Sequence, residues 1–309
     1  DIGYCIGFDL GRQVRANLKD DGVNADTDAV LKGFTDAIKG VQPSMTEAQM
    51  ARILAEVQKT VDEQKSKKKL ETDPVYRAAF SMSIDRDAVY AQIYAPFAQG
   101  TPLLDCGPIA PGPYCKDSFA DTYDPEGAAA LLEDNGWTMG ADGFWVSPDG
   151  EVPDIRWMVN TGNTRRESTQ EFLIPKLAEA GFNVKADNCE ALPCVFETRL
   201  PSLDYDMAMY INTVAPDPAY LRTWGCDQIP TEENGFQGQN SNGWCNEEAT
   251  TQLIAADAEL DEAKRIEEVQ KAISLMAEDH IMLPLLQFPN VGAIRTDRLA
   301  NAYGELANY

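Results

Sequence analysis

Apolar positions recur every three to four residues through the first seventy positions, in three runs. Leu10, Val14 and Leu18 fall at i, i+4 and i+8 and mark one helical face that ends at Gly22. Val30, Phe34 and Ile38 repeat the spacing before Gly40, with Asp26 or Asp28 placed to cap the helix start. Met50, Ile53, Leu54, Val57 and Val61 form a longer stripe. Thr46 is its expected N-cap, and Lys65-Ser-Lys-Lys-Lys69 closes it, where cations suit the helix dipole. Three short amphipathic helices enclose little core by themselves, so their stripes call for a partner.

From Asp73 onward the pattern changes. Pro74 opens a helix that breaks at Asp85, and a second helix follows. Gly100 begins a Pro/Gly-rich loop running to Tyr114. Asp124-Pro125 opens a helix stopped by Gly136, while Asp142-Gly and Asp149-Gly mark turns between short strands. Strands are expected over 155–159, 182–186 and 205–211, the last one buried, with helices over 164–180 and 192–200 between them. Such alternation predicts an α/β fold with a parallel or mixed sheet. Two helices over 246–258 and 262–279, with Ile266, Val269, Ile273 and Met276 inward, lead to final strands over 282–288 and 291–295.

Charge marks the same boundary. The 309 residues carry a net −24; residues 1–70 hold 11 acidic and 11 basic side chains, and the rest holds 39 acidic against 15 basic. An acidic surface of this kind repels phosphate backbones and argues against nucleic-acid binding. The expected domains are therefore a helical segment over 1–70 and an α/β lobe over 71–309. No apolar run reaches the roughly 20 residues of a membrane span. The chain opens on Asp1 without a basic-then-apolar stretch, so a secretion signal, if one existed, is expected to have been removed.

Six of the seven cysteines follow residue 70, as Cys106/Cys115, Cys189/Cys194 and Cys226/Cys245. Six cysteines allow fifteen pairings, which sequence cannot separate. Each close pair sits in a loop rich in Gly, Pro or Asn, so three local disulfides are expected, with reduced buried thiols as the alternative. Disulfides imply a periplasmic or extracellular setting. No zinc-type spacing appears, and His280 is the single histidine, so no metal or cofactor is expected. No phosphate loop, nucleophile elbow or His pair points to catalysis.

Two resemblances follow from particular motifs. Ile2-Gly-Tyr-Cys-Ile-Gly-Phe-Asp-Leu-Gly11, Phe34-Thr-Asp-Ala-Ile-Lys-Gly40 and Pro43-Ser-Met-Thr-Glu47 resemble the N-terminal dimerisation segment of Mip-like peptidyl-prolyl isomerases. That resemblance implies a homodimer through residues 1–70, with Leu10, Val14 and Phe34 in the contact. No β-rich isomerase domain follows, so the isomerase activity does not carry over. A helical cap folded on the same chain is the alternative.

From about Asp73 to its end the chain resembles the C-terminal lobe of ABC-importer solute-binding proteins of the oligopeptide class. The matching motifs are Arg77-Ala-Ala-Phe-Ser-Met-Ser-Ile-Asp-Arg-Asp-Ala-Val89, Tyr123-Asp-Pro-Glu-Gly-Ala-Ala-Ala-Leu-Leu132 with Gly136-Trp137, Asp217-Pro-Ala-Tyr-Leu221 with Trp224, and Leu283-Pro-Leu-Leu286. The resemblance implies a non-catalytic carrier of a peptide-like or small polar ligand, working with importer membrane subunits. The first lobe of such clamps has no counterpart here, and the position of their amine-gripping acid is Val214.

Ligands of α/β sheets rest beyond the carboxyl ends of strands. Two loops qualify: Asn160-Thr-Gly-Asn163, whose amides can hold polar groups, and the stretch from Tyr210 and Asn212 to Asp217, with Trp224 beyond. Each residue has a plainer role open to it: a helix cap for Asn163, a turn for Asp217 and core packing for Trp224. Trp244, beside Cys245, is expected to pack. A dimeric structural or chaperone-like protein is the competing function, and a fusion of two gene products near Leu70 would account for the step in charge and cysteines.

Overall fold

The computed structural model describes residues 2–20, 23, 25–67, 69–98, 106–109, 112–116, 118–119, 122–211, 217–231 and 234–285. The chain divides into two units, Asp1–Lys69 and Leu70–Tyr309.

The first unit holds the helices Ile2–Asp20, Thr27–Ile38 and Glu47–Lys67. The first begins earlier than the Leu10 stripe implies, because Tyr4 stacks on Phe8 one turn later, with centroids 6.0 Å apart. Asp26, and not Asp28, caps the second helix, its carboxylate accepting the Ala29 amide at 2.7 Å. Thr46 and Gln49 form a reciprocal capping box: the Thr46 hydroxyl accepts the Gln49 amide at 3.2 Å, and the Gln49 side-chain oxygen accepts the Thr46 amide at 3.0 Å. No residue of Thr27–Ile38 is buried. Tyr4, Phe8, Leu31, Ile38 and Leu54 are each more than half exposed, so the stripes end at solvent.

In the second unit, Asp73 caps the helix Pro74–Met82, and Asp85 caps Arg86–Val89, which continues through a π-turn at Tyr90–Tyr94. Asp124 caps Pro125–Asp134, whose chain reverses at Gly136 with φ +83°. β1 (Thr138–Met139) and β2 (Trp145–Val146) form a small antiparallel hairpin. The main sheet holds β3 (Asp154–Met158), β4 (Asn183–Ala186) and β5 (Met207–Ala208), in the order β4-β3-β5 with both pairings parallel. The helix Thr164–Glu179 links β3 to β4.

Side chains alternate across β3. Ile155, Trp157 and Val159 enter a core with Tyr76, Phe80, Leu132, Trp137, Leu177 and Phe182, whereas Met158 faces Val195 and Leu200. The Tyr76 ring stacks on Trp137 with centroids 4.6 Å apart. A second core joins the turn Pro218–Trp224 to the helices Glu247–Ala258 and Glu262–Glu278 through Leu221, Leu253, Val269, Ile273 and Met276, with Ile266 only half-buried.

Three expectations need correction. The buried strand over 205–211 shortens to Met207–Ala208 and is half-buried, because among the described residues β5 pairs with β3 alone, at the sheet edge. The helix over 192–200 is a π-turn, Ala191–Arg199, kinked at Leu192 and followed by Leu200–Ser202. Residues 282–285 form no strand; Leu283 and Leu285 pack on the first core instead. The rest of the two terminal strands lies outside the described residues. All three local cysteine pairs are bonded: Cys106–Cys115, Cys189–Cys194 and Cys226–Cys245.

Candidate functional site at the carboxyl edge of the sheet

A pair of side-chain amides, one buried (Gln170) and one half-buried (Asn188), fixes the carboxyl ends of β3 and β4. Gln170, on the inner face of Thr164–Glu179, donates to the Trp157 carbonyl at 2.7 Å and to Asn188 at 3.0 Å. Asn188 returns a bond to Gln170 at 2.7 Å and accepts the Val159 amide at 3.1 Å. Every polar group of this pair that meets the strands is thereby matched, as burial requires. Sequence reasoning missed both residues. The signal was a glutamine three and seven positions before Leu173 and Leu177, on the apolar face of a helix.

Beyond this lock, Asn160 pairs with Cys189 in an isolated parallel bridge, and the Thr161 amide donates to the Cys189 carbonyl at 2.8 Å. The Gly162 amide donates to Glu167 at 3.1 Å. Two loop amides expected to meet a ligand are therefore occupied within the chain. Asn163 is the N-cap of Thr164–Glu179, accepting the Arg166 amide at 3.3 Å, while the Arg166 guanidinium donates to the Asn160 side chain. Burial lowers the Arg166 pKa, and the charge of Arg165 works in the same direction. The Tyr94 hydroxyl lies 3.1 Å from Thr169, with its pKa raised by burial.

Tyr210 stands at the carboxyl end of β5, edge-on to Phe196 with centroids 6.4 Å apart, and burial raises its pKa. The other end of this strand is held by charge. Asp206 accepts the Arg156 amide at 2.7 Å and its Nε at 3.1 Å, and Arg156 Nη1 reaches Asp204 at 2.8 Å. Burial works against the Arg156 charge, but the hydrogen bonds to Asp206 and Asp204 outweigh it and raise the pKa.

Asp217 and Trp224 belong to the helical part of the unit. Asp217 caps Pro218–Trp224, accepting the Ala219 amide at 2.8 Å, and pairs with Arg265 at 2.8 Å. The hydrogen bond from Arg265 holds its carboxyl below the usual range. Trp224 packs in the second core, and the Trp244 indole donates to Asp279 at 2.8 Å. Asn212 and Val214 lie outside the described residues. Donors of Cys226, Cys245 and Glu247 lie within 4.8 Å of one another, but the two sulfurs are bonded to each other, which removes the thiolates a metal would need.

One surface ion pair has a measurable signature. Arg222 grips Asp227 with bonds of 2.7 and 2.5 Å, and that hydrogen bonding holds the Asp227 pKa down to about 2. A depressed carboxyl pKa contributes stability above the unfolded value, lost as pH falls from about 4 toward 2. A carboxyl NMR titration should find Asp227 ionising near 2; in Arg222→Gln it should return to about 3.9. Titration of both forms at the same pH would refute the pairing.

Residues 23–229 match the family model of bacterial extracellular solute-binding proteins, family 5 Middle. The match begins well ahead of Asp73, where the motifs place its start. Over 58 residues, 19% of this chain and 23% of the relative, the sequence is 38% identical to an outer membrane protein MIP of Legionella longbeachae. In fold, the chain is similar to an oligopeptide-binding protein of Thermus thermophilus complexed with a pentapeptide, at a TM-score of 0.58 and 24% identity, covering 69% of this chain and 37% of that one. It is also similar to a periplasmic oligopeptide-binding protein of Thermotoga maritima bound to mannohexaose, at 0.60 and 20%, covering 71% and 41%. The chain thus spans less than half the length of these relatives. With the family model covering well over half of its residues, this chain belongs to the bacterial extracellular solute-binding proteins, family 5.

Proposed function

We propose that the chain is the non-catalytic solute-binding component of an ABC importer, periplasmic or extracellular, with a peptide-like or small polar ligand. The observation that carries this reading is the family match, joined to a parallel sheet whose carboxyl edge gathers Asn160, Asn163, Arg166 and Tyr210. The relatives named above hold a pentapeptide in one case and a mannohexaose in the other, so fold alone does not choose between peptide and sugar. No helix among the described residues is long and apolar enough to cross a membrane, which fits the reading without deciding it.

A ligand that binds the native state alone stabilises it, by about 2.7 kcal/mol at a concentration one hundred times Kd. Thermal melts against di- to hexapeptides, oligosaccharides and metal chelates should find one class that raises Tm by roughly 5–10 °C. A flat response to every class would sink the carrier reading.

A second reading concerns the helical unit. Its exposed stripes, with the 38% identity to the MIP relative, favour a homodimer through residues 1–70 in which Leu10, Val14 and Phe34 meet a second chain. In that arrangement the helical arm is an assembly device, and the α/β unit is its cargo-binding part.

A further inference from the structure

One group of side chains, away from the sheet, carries metal-ligand chemistry. The sulfurs of Cys226 and Cys245 and a carboxylate oxygen of Glu247 lie within 4.8 Å of one another. Donors of a tetrahedral zinc stand about 3.5–3.8 Å apart, as bonds of about 2.0–2.3 Å require. A small side-chain rotation closes that difference once the sulfurs are free. Among the described residues, neither Cys106–Cys115 nor Cys189–Cys194 has a carboxylate so placed.

Contacts other than the disulfide also hold these two cysteines together. Asn240, only 1% exposed, donates through its side-chain nitrogen to the carbonyls of Trp224, Gly225 and Trp244, at 3.0, 3.1 and 2.8 Å. Those carbonyls lie just ahead of Cys226 and of Cys245, so one buried amide clamps both segments. The Thr250 hydroxyl accepts the Cys226 amide at 3.0 Å and lies 3.2 Å from the Cys226 sulfur. On the other side, Asn246 caps Glu247–Ala258 by accepting the Ala249 amide at 3.0 Å. That cap sets Glu247 at the first helical position and Cys245 just ahead of the helix, whose dipole favours a thiolate. Within these clamps the cysteine Cα atoms are 4.6 Å apart.

We propose that Cys226, Cys245 and Glu247 form a zinc site that opens when their disulfide is reduced. An external dithiol, oxidised to its own disulfide, supplies two electrons and two protons, and the S–S bond becomes two thiols. Zinc displaces both protons and takes two thiolates and the carboxylate, with water in the fourth position. Thiolate donors select zinc over calcium and magnesium, which prefer oxygen. Cys245 and Glu247 are exposed and Cys226 is half-buried, so the reductant and the metal both have access. The metal then closes the 226–245 loop under conditions that break its covalent bond. This role is separate from the carrier reading and does not rest on it.

The test uses the full chain, oxidised or reduced with a phosphine, which takes its oxygen from water and leaves no competing thiol. Competition against a chromophoric chelator should find zinc bound by the reduced chain and not by the oxidised one. Cobalt(II), as a spectroscopic stand-in, should give a thiolate-to-metal charge-transfer band in the reduced chain alone. Glu247→Gln, at an exposed position, should weaken zinc binding by at least about tenfold. Cys226→Ser together with Cys245→Ser should abolish the cobalt band, whereas Cys189→Ser together with Cys194→Ser should keep it. Equal zinc binding by the oxidised chain, no cobalt band after reduction, or a zinc affinity that Glu247→Gln leaves unchanged overturns the site. The variant lacking Cys226 and Cys245 should also retain the near-ultraviolet circular dichroism of the native chain, because Asn240 still holds the loop. Loss of that signal would mean that the clamp does not preset the two sulfurs, and overturns the proposal as well.

Discussion

Asp206→Ala should lower the unfolding free energy by about 2–4 kcal/mol, because a nearly buried carboxylate takes with it the partner of two donors. The side chain is 4% exposed and sits where the chain enters β5. It accepts both the backbone amide of Arg156, at 2.7 Å, and the guanidinium Nε, at 3.1 Å. Its removal leaves the strand amide and the guanidinium Nε without their acceptor, while Nη1 keeps Asp204 at 2.8 Å, so the loss combines two orphaned donors with a weakened ion pair. For a unit of this size the loss corresponds to a fall in Tm of roughly 10 °C. Asp206→Asn keeps the shape and one acceptor oxygen, so it should cost less. A melt of Asp206→Ala within about 2 °C of the native chain would mean that the Arg156 cluster is a solvated surface network, worth no more than exposed pairs are.

Phe34→Glu should convert a dimer into a monomer. Phe34 lies 41% exposed on a helix without a buried residue, beside Leu31 at 58% and Ile38 at 72%. In a paired arrangement these side chains are covered, each contributing about 1.5–3 kcal/mol. A carboxylate placed among them loses that contribution and adds a desolvation cost, so the dimer Kd should rise by more than about a hundredfold. Leu10→Glu and Val14→Glu should act in the same direction. Sedimentation velocity, or native mass spectrometry without reduction, reads the change directly as the mass of two chains giving way to one. A native chain that is monomeric at tens of micromolar would end the dimer reading before any substitution is made.

Much of the architecture could be read in the residues. Capping is a local event, so Asp26, Thr46, Asp124, Asn163, Asn246 and Asp261 announce helices at the positions where they occur. The Asn160–Asn163 loop was legible for the same reason, as the segment between a strand period and a helix cap. Gln170 and Asn188 were not singled out, because each becomes meaningful only when the helix and β4 are brought together. Asp217 was read as a possible ligand contact, whereas the fold gives it Arg265, forty-eight positions away, as its partner.

The sequence by itself determined the helix periods and made three local disulfides the expectation among fifteen possible pairings, because helix periods and loop closures depend on residues close together in the chain. It also raised the expectation that the helical stripes meet a partner, since apolar spacing is visible without coordinates. Tertiary structure alone decided which amides of the Asn160 loop are already occupied, that β5 shrinks to an edge strand, and that Phe196 faces outward beside Tyr210. Those outcomes depend on groups far apart in the chain competing for the same partners, and a linear pattern carries no record of which pairing prevails.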